Sequence, residues 1–525
     1  MTFDAPTDVP ICDLPRMTAL LEALQQVNYT VDGVAELLGE RGYAALNREQ
    51  FSAALLITER SGSPLALLIR LFLLAQPVTT AELDAALPGL DSTGLSSLGL
   101  IEMSGDACRV LMDLRPYSFE DERGEVRLWV ASDLAAHQSP GVLRRDHVLG
   151  IGGASLTLAQ STIRKPVRKA LDLGCGCGIQ TLHLLRHADH VTATDISARA
   201  LAFTRFNLLL NATALRLDPQ HLEQRVSLRQ GSLLEPVKGE EFELVVSNPP
   251  FVITPRRAGE DSAEQFTYRD GGLPGDELVS SLIRGLPEVL SAGGSAQLLA
   301  NWEIPESAAS WHSRISTWFA EELDYWLIQR EQLSPEQYAE TWLQDASQGR
   351  DPEYFASSYR DYLLDFEARE VSSIGFGLVW LRRWAGGQQR AAIQRLEEIS
   401  HPLEQPIGPA LEAALDRADW LAERQQDVDQ LSRVKLVVAD DVTEERHQRP
   451  GAEHPGVILL RQGAGLRRTT LLSTELAGFV SACDGTLSVG QIVSALEALL
   501  ERDLPLDEQI RPLIADGFLL ADDTD

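Results

Sequence analysis

The stretch Ala170-Leu171-Asp172-Leu173-Gly174-Cys175-Gly176-Cys177-Gly178 decides the fold. An apolar run ending in three alternate glycines reads as a strand entering a turn at a helix start, where bare backbone lets a nucleotide-like ligand approach closely. Further along, Ser247-Asn248-Pro249-Pro250-Phe251 places an amide oxygen, two prolines and an aromatic ring at the end of another strand. That set suits gripping a flat amine better than packing a core. The pair reads as a cofactor site and an acceptor site.

Working outward, strands and helices alternate. Lys169–Leu173, His190–Thr194, Arg225–Arg229, Phe242–Val246 and Ser295–Ala300 read as central strands. Helices are expected from Ile179, from a Ser197 cap, and over Asp276–Leu290. Alternation of this kind predicts an α/β domain whose parallel sheet is covered on both faces. Tyr325–Gln329 and Gly375–Leu381 are expected to form a closing antiparallel pair. Between them lies an acidic helical insertion, about 331–370, opened by Ser334-Pro335-Glu336-Gln337, in which Ser caps, Pro takes the first helical position and Gln reaches back. Beside a sheet edge it reads as a substrate lid or as a solvated decoration.

Four regions follow: a mainly helical domain over 1–118, the α/β domain over 119–385, a Gly-, Gln- and Pro-rich linker over 386–408, and an α+β domain over 409–525. Near the N-terminus, a capped helix from Thr79, a second helix over Asp91–Leu98 and a hairpin around Ser104-Gly105-Asp106 resemble a winged helix-turn-helix. The second helix has almost no Arg or Lys, which favours a structural or protein-docking role over DNA reading. Ser488-Val489-Gly490-Gln491 and Asp516-Gly517-Phe518 near the C-terminus echo this unit, although helix-end chemistry at glycine accounts for the echo nearly as well.

With 525 residues and 44% hydrophobic side chains the chain can bury a sizeable core. A formal charge of -31 argues against a protein that coats nucleic acid. Basic residues nevertheless gather beside the glycine turn (Arg144, Arg145, Arg164, Lys165, Arg168, Lys169) and after the prolines (Arg256, Arg257). The longest apolar segment, Pro64–Ala75, carries Arg70 and is too short to span a bilayer, and no leader pattern opens the chain. A soluble, cytoplasmic protein is expected. The five cysteines are scattered apart from one C-x-C, so neither a disulfide framework nor a metal site is expected. His137, His147, His183 and His187 read as structural or surface residues.

Glycines at 174, 176 and 178 alone are a weak dinucleotide signal. Asp195, at the end of the next strand, is placed to accept hydrogen bonds from two ribose hydroxyls. Asp172, inside the strand end, can order the turn and face the amino group of a methionine moiety. No hydride transfer requires Asn248-Pro249-Pro250-Phe251. With these residues in place, 145–302 resembles the class I S-adenosylmethionine-dependent methyltransferases, specifically the small-domain group marked by Asn-Pro-Pro followed by an aromatic residue. Tyr268-Arg269-Asp270-Gly271-Gly272 belongs to the same resemblance.

The resemblance implies a Rossmann-like seven-stranded methyltransferase sheet, here flanked by the winged-helix-like domains, and S-adenosyl-L-methionine as cofactor. It implies cofactor contacts from Asp172, Gly174, Cys175, Gly176, Gly178, Asp195, Ile196, Ser232, Leu233 and Asn248. Ser232 stands where the group commonly has an Asp facing the adenine amine. Asn248, Pro249 and Phe251 are the implied catalytic residues, and Pro250, Phe251 and Trp302 the implied substrate contacts; Trp302 could equally pack. The implied reaction is N-methylation of a planar nitrogen, foremost an exocyclic amine of an RNA base in rRNA or tRNA. Alternatives are a glutamine or asparagine amide of a translation-related protein, and a cofactor-sensing regulator that binds DNA or protein.

Overall fold

The computed structural model describes the chain apart from residues 1–7, 88, 137, 139–142, 257–269, 308–309, 346–351, 386–390, 425–427 and 523–525. His137, Arg257, Tyr268 and Arg269 therefore lie outside the described residues. The chain forms two compact units. The first holds the residues up to Ala159, Pro166–Ala320 and Glu331–Arg382; the second holds Gln160–Lys165, Glu321–Arg330 and the residues from Arg383.

In the first unit, helices over Leu14–Gln26, Val31–Leu46 and Ser52–Arg60 precede a small module. It comprises β1 (Val78–Thr79), α1 (Thr80–Ala86), α2 (Ser92–Ser97), β2 (Ile101–Ser104) and β3 (Ala107–Val110), with strand order β1-β3-β2. Thr79 and Glu82 form a reciprocal capping box at the start of α1, as the sequence indicated.

A long hairpin follows, β4 (Met112–Asp121) and β5 (Gly124–Asp133), paired along its whole length. It runs across the boundary expected at 118/119, so the N-terminal part and the α/β part share one unit. Pro116 inside β4 hides this strand in the sequence, because proline usually argues against a ladder position. Here its partner is Trp129 in a hairpin outside the main sheet.

The main sheet of this unit contains β6 (Val167–Leu173), β7 (Ala188–Asp195), β8 (Val226–Gln230), β9 (Phe242–Ser247), β10 (Leu290–Pro305) and β11 (Val371–Arg383). Their order is β11-β10-β9-β6-β7-β8. All neighbours are parallel except β10 and β11. α3 (Ile179–Leu184) leaves the glycine turn and α4 (Ala198–Leu210) leaves the Ser197 cap, whose side chain accepts from Ala200 N–H. α5 (Glu277–Gly285) covers the approach to β10.

The insertion is a pair of helices, α6 (Pro335–Asp345) and α7 (Pro352–Ala368). Ser334 and Gln337 exchange the expected capping bonds, 3.1 and 3.3 Å. The insertion is no loose decoration: Tyr338, Ala339, Leu343, Tyr362 and Phe366 bury themselves against Ile253, Val371 and Ile374.

The second unit corrects one expectation. Tyr325–Gln329 pairs in parallel with Gln394–Glu398. The same pairing places a strand inside the stretch read as a linker, whose polar composition marks a half-exposed edge rather than a flexible tether. Beyond it, strands Asp484–Ser488, Lys435–Val438 and Leu519–Ala521 form an antiparallel sheet in that order. Helices Val489–Leu500 and Asp507–Asp516 link its outer strands, and the core gathers around Phe479 and Phe518. As in β1-α1-α2-β2, the strand before one helix and the strand after the next flank a third strand.

Candidate functional site

The glycine turn and the Asn-Pro-Pro segment meet because β6 and β9 are neighbours ending at the same level. Leu173 pairs with Ser247, and the Ser247 hydroxyl donates to the Leu173 carbonyl at 2.8 Å. A Cβ on Gly174 would lie 3.9 Å from the Asn248 carbonyl oxygen. Gly174, Gly176 and Gly178 all adopt positive φ, so the turn takes a path that β-carbons would strain. Gly178 also faces Thr204, whose Cγ2 would come within 2.9 Å of an added Cβ.

Around this junction lies a cavity of about 610 Å³. Its lining includes Gly174, Cys175, Gly176, Asp195, Ile196, Ser232, Leu233, Asn248, Pro249 and Pro250. Asp195 is held there by backbone donors: Gly176 N–H at 3.0 Å on one oxygen and Ser197 N–H at 2.8 Å on the other. Burial raises its pKa despite these bonds, which lower it. Ile196, 53% exposed, offers an apolar wall. Leu233 takes a left-handed conformation at the Ser232 turn.

Asp172 sits behind the turn, 1% exposed. One carboxylate oxygen accepts both from Thr181 N–H, at 2.8 Å, and from the Thr181 hydroxyl, at 2.6 Å. The other, Oδ1, is buried without a hydrogen-bond partner among the described residues. Burial pushes its pKa up to about 7, against the lowering effect of the Thr181 bonds. A buried carboxylate with an unused oxygen is a receptor for a cation that also donates. The side-chain oxygen of Asn248 is likewise buried and unpartnered. Asn248 Oδ1 is on the cavity wall and fits an acceptor that brings an N–H, whereas Asp172 lies behind the turn, outside the cavity lining.

Several supports were invisible in the sequence. Asn207 of α4 donates to the Cys177 carbonyl (2.8 Å) and the Ala131 carbonyl (2.9 Å) and accepts from Ala131 N–H (2.8 Å), fastening the turn to β5. Thr204 donates to the Gly176 carbonyl at 2.9 Å. Asp133 takes the Arg199 guanidinium through both oxygens, 2.7 and 2.8 Å, and Val148 N–H at 2.7 Å. This brings His147 and Leu149 into the cavity lining. His147, read from sequence as structural or surface, is 5% exposed, and burial lowers its pKa. These partners lie far apart in the chain, and no spacing rule links them.

Four expected contacts lie outside the cavity lining: Asp172 and Gly178 of the turn, Trp302 and Phe251. Trp302 is fully buried and stacks on Trp311 at 5.8 Å; it is outside the cavity lining because β10 turns that face into the core. Phe251 also lies outside the lining and meets Trp342 edge to face at 6.3 Å. Cys175 and Cys177 line the cavity as buried thiols, the latter pushed up to about 12 by burial, and so are unsuited to nucleophilic work. No group able to hold a metal ion occurs among the described residues, and none of the described helices is long and apolar enough to cross a membrane.

The local positive charge is largely neutralised. Arg144 pairs with Asp146 and Asp8, Arg168 with Glu243, Arg256 with Asp270, and Lys165 with Asp416. Asp270, also on the cavity wall, accepts from the Thr254 hydroxyl (2.5 Å) and Gly272 N–H (2.9 Å).

Comparison with known proteins locates the same region. Residues 134–267 match the family described as methyltransferase small domain, and residues 26–111 match a domain of unknown function (DUF7059). A ribosomal protein uL3 glutamine methyltransferase of Bradyrhizobium diazoefficiens is 30% identical over 159 residues, 29% of this chain and 46% of that one. A ribosomal RNA small subunit methyltransferase C of Salmonella newport is 30% identical over 168 residues, 32% of this chain and 40% of that one. The chain therefore spans less than half the length of either relative. Among solved structures, a T. thermophilus 16S rRNA N2 G1207 methyltransferase in complex with AdoMet and guanosine aligns at 18% identity over 43% of this chain and 55% of that one, with a TM-score of 0.23.

Proposed function

We propose that the chain is an S-adenosylmethionine-dependent N-methyltransferase acting on a planar nitrogen, foremost an exocyclic amine of an RNA base. The carrying observation is the buried, unused Asn248 Oδ1 on the wall of the cavity that Asp195 also lines, with the buried, unused Asp172 Oδ1 behind the glycine turn. Asp172 is assigned to the ammonium group of the cofactor, Asp195 to its ribose hydroxyls, and Ile196, Ser232 and Leu233 to its adenine end. When bound, the cofactor supplies an electrophilic sulfonium methyl: an N–CH3 bond forms, the S–CH3 bond breaks, S-adenosylhomocysteine leaves and the nitrogen loses a proton to solvent.

The chain's own part is to hold that nitrogen. A planar amine or amide has a delocalised lone pair and attacks carbon poorly. Asn248 Oδ1 and the Pro249 carbonyl can each accept one N–H, which favours the pyramidal nitrogen whose lone pair points at carbon. The same two acceptors stabilise the positive charge that develops there, so no general base is required. Pro250 borders the acceptor, and Phe251, which packs against Trp342 outside the cavity lining, is given no acceptor contact.

The second reading is a glutamine or asparagine amide of a translation-related protein. The ion pairing of Arg144, Arg168 and Arg256 favours it, because these three cations are already matched by carboxylates rather than left to meet phosphates. The module β1-α1-α2-β3 is read as winged-helix-like and as a docking element for the acceptor. The test is incubation of the purified chain with methyl-labelled cofactor and an extract of cells lacking the gene. Label lost to nuclease supports the base amine; label lost only to protease supports the amide. No label in either fraction overturns methyl transfer.

A further inference from the structure

The acceptor segment leaves the sheet at Ser247, the last residue of β9, which pairs with Leu298 of β10. β10 continues beyond that level with β11 as its partner, so Asn301 stands three residues past the last β9 pair, beside the departing segment. Among the described residues neither β9 nor β6 is paired beyond Ser247; Val252 makes one isolated bridge to Asp270, whose carboxylate also takes the Thr254 hydroxyl. The amide of Ile253, buried between these two contacts, needs a partner of its own.

The insertion supplies it. The Tyr338 hydroxyl oxygen accepts from Ile253 N–H at 2.8 Å and from the Asn301 side-chain amide at 2.8 Å. Tyr338, Ile253 and Asn301 are 0%, 1% and 0% exposed, so water does not compete for these bonds. Burial raises the pKa of Tyr338 well above its ordinary value and keeps the phenol neutral. Its ring is fixed by Phe366, edge-on at 5.6 Å, and by Phe376, stacked at 5.6 Å. One turn later on the same helix, Trp342 holds the ring of Phe251. The base of the insertion is tied down separately, Arg369 gripping Glu303 of β10 at 2.8 Å. The Asn301 amide gives its NH2 to Tyr338 and leaves its oxygen buried and unpartnered, so the Tyr338 contact fixes this side chain.

We propose that α6 is the positioning element of the acceptor site and that Tyr338 is a positioning residue for methyl transfer: its hydroxyl sets the exit path of the chain at Ile253, and thereby the orientation of Asn248 and Pro249 toward the acceptor nitrogen. The proposal rests on the N-methyltransferase reading. It gives the insertion a role in the transfer step, which neither a lid that opens nor a solvated decoration would have.

The test uses the full chain with Tyr338→Phe, which removes only the hydroxyl, and Leu343→Ala, which loosens the same cluster and leaves the Tyr338 ring contacts and hydroxyl in place. Methyl transfer is followed with labelled cofactor and the extract fraction that the parent labels. Tyr338→Phe is expected to bind cofactor within twofold of the parent and to lower kcat 10- to 100-fold with KM for the acceptor within threefold. Leu343→Ala, at an equal or larger loss of melting temperature, is expected to keep kcat within threefold. Equal rates for Tyr338→Phe and the parent, or equal losses in both variants, overturn the positioning role while leaving methyl transfer standing. If the parent labels nothing, methyl transfer itself fails, and hydrogen exchange at the Ile253 amide decides what remains: tenfold faster exchange in Tyr338→Phe upholds the contact as the fixer of this segment, and unchanged exchange removes it.

Discussion

Replacing Asp172 by Asn should weaken cofactor binding while leaving the empty protein as stable or more stable. The two Thr181 bonds fall on one oxygen, so an asparagine oxygen in that place keeps both. The amide NH2 then occupies the position of the unpartnered Oδ1. In the parent, burial moves the carboxyl from 3.8 to about 7. At 1.36 kcal/mol per pKa unit, that represents about 4 kcal/mol of destabilisation above pH 7. For an acid whose folded pKa is raised, the folded state holds more protons than the unfolded state between the two values, so parent stability falls as pH rises from about 4 to about 7. The Asn variant loses this slope, and its newly buried donor costs about 1–3 kcal/mol. The net expectation is a gain of about 1–3 kcal/mol at pH 8 and less at pH 5, read by urea denaturation.

Binding changes in the opposite sense. Removing one partner of a buried charge pair typically costs about 2–5 kcal/mol, which corresponds to an affinity loss of roughly 30- to 5,000-fold. Calorimetric titration with S-adenosylmethionine should show this loss. It should also show parent affinity that strengthens as pH rises toward about 7 and then levels, as Asp172 ionises, against a weaker and flatter profile for the variant. Binding within threefold of the parent at pH 8 would refute the assignment of Asp172 to the ammonium group.

Two further predictions concern the frame of the site. Gly178→Ala places a Cβ 2.9 Å from Thr204 at a φ of +87° and should cost about 2 kcal/mol in chemical denaturation, the left-handed penalty plus crowding; a change under 0.5 kcal/mol would contradict the turn geometry. Asn207→Ala removes three bonds and strands Ala131 N–H and two carbonyls, so a loss of about 2–4 kcal/mol is expected, with cofactor affinity falling as the turn loosens; an unchanged melting temperature would show that the turn does not depend on β5.

The glycine turn, Asp195 and the Asn-Pro-Pro segment were legible in the sequence because their residue types are dictated by backbone geometry and by what a strand end can present. Ser197, Thr79 and Ser334 were legible for the same local reason, each capping a helix within a few residues. What stayed hidden depends on distant partners. Asn207 looks like a poor helix former until Ala131 and Cys177 are placed beside it, and Tyr338 looks like one aromatic in an acidic insertion until Ile253 and Asn301 meet its hydroxyl. Trp302 and Phe251 were assigned to the acceptor by position along the strand, yet facing is decided by what packs behind: Trp311 for the first and Trp342 for the second. Pro116 concealed β4, and the polar run at 394–398 concealed a strand.

The central claim is that Asn248 grips the acceptor nitrogen at a site loaded by Asp172 and Asp195. The most direct measurement is turnover of Asn248→Ala on the labelled extract fraction, with cofactor affinity measured in parallel. Loss of one transition-state contact of this kind is typically worth roughly 100- to 1,000-fold. A drop in kcat of that size with cofactor affinity retained is the predicted result; turnover within threefold of the parent would contradict the claim.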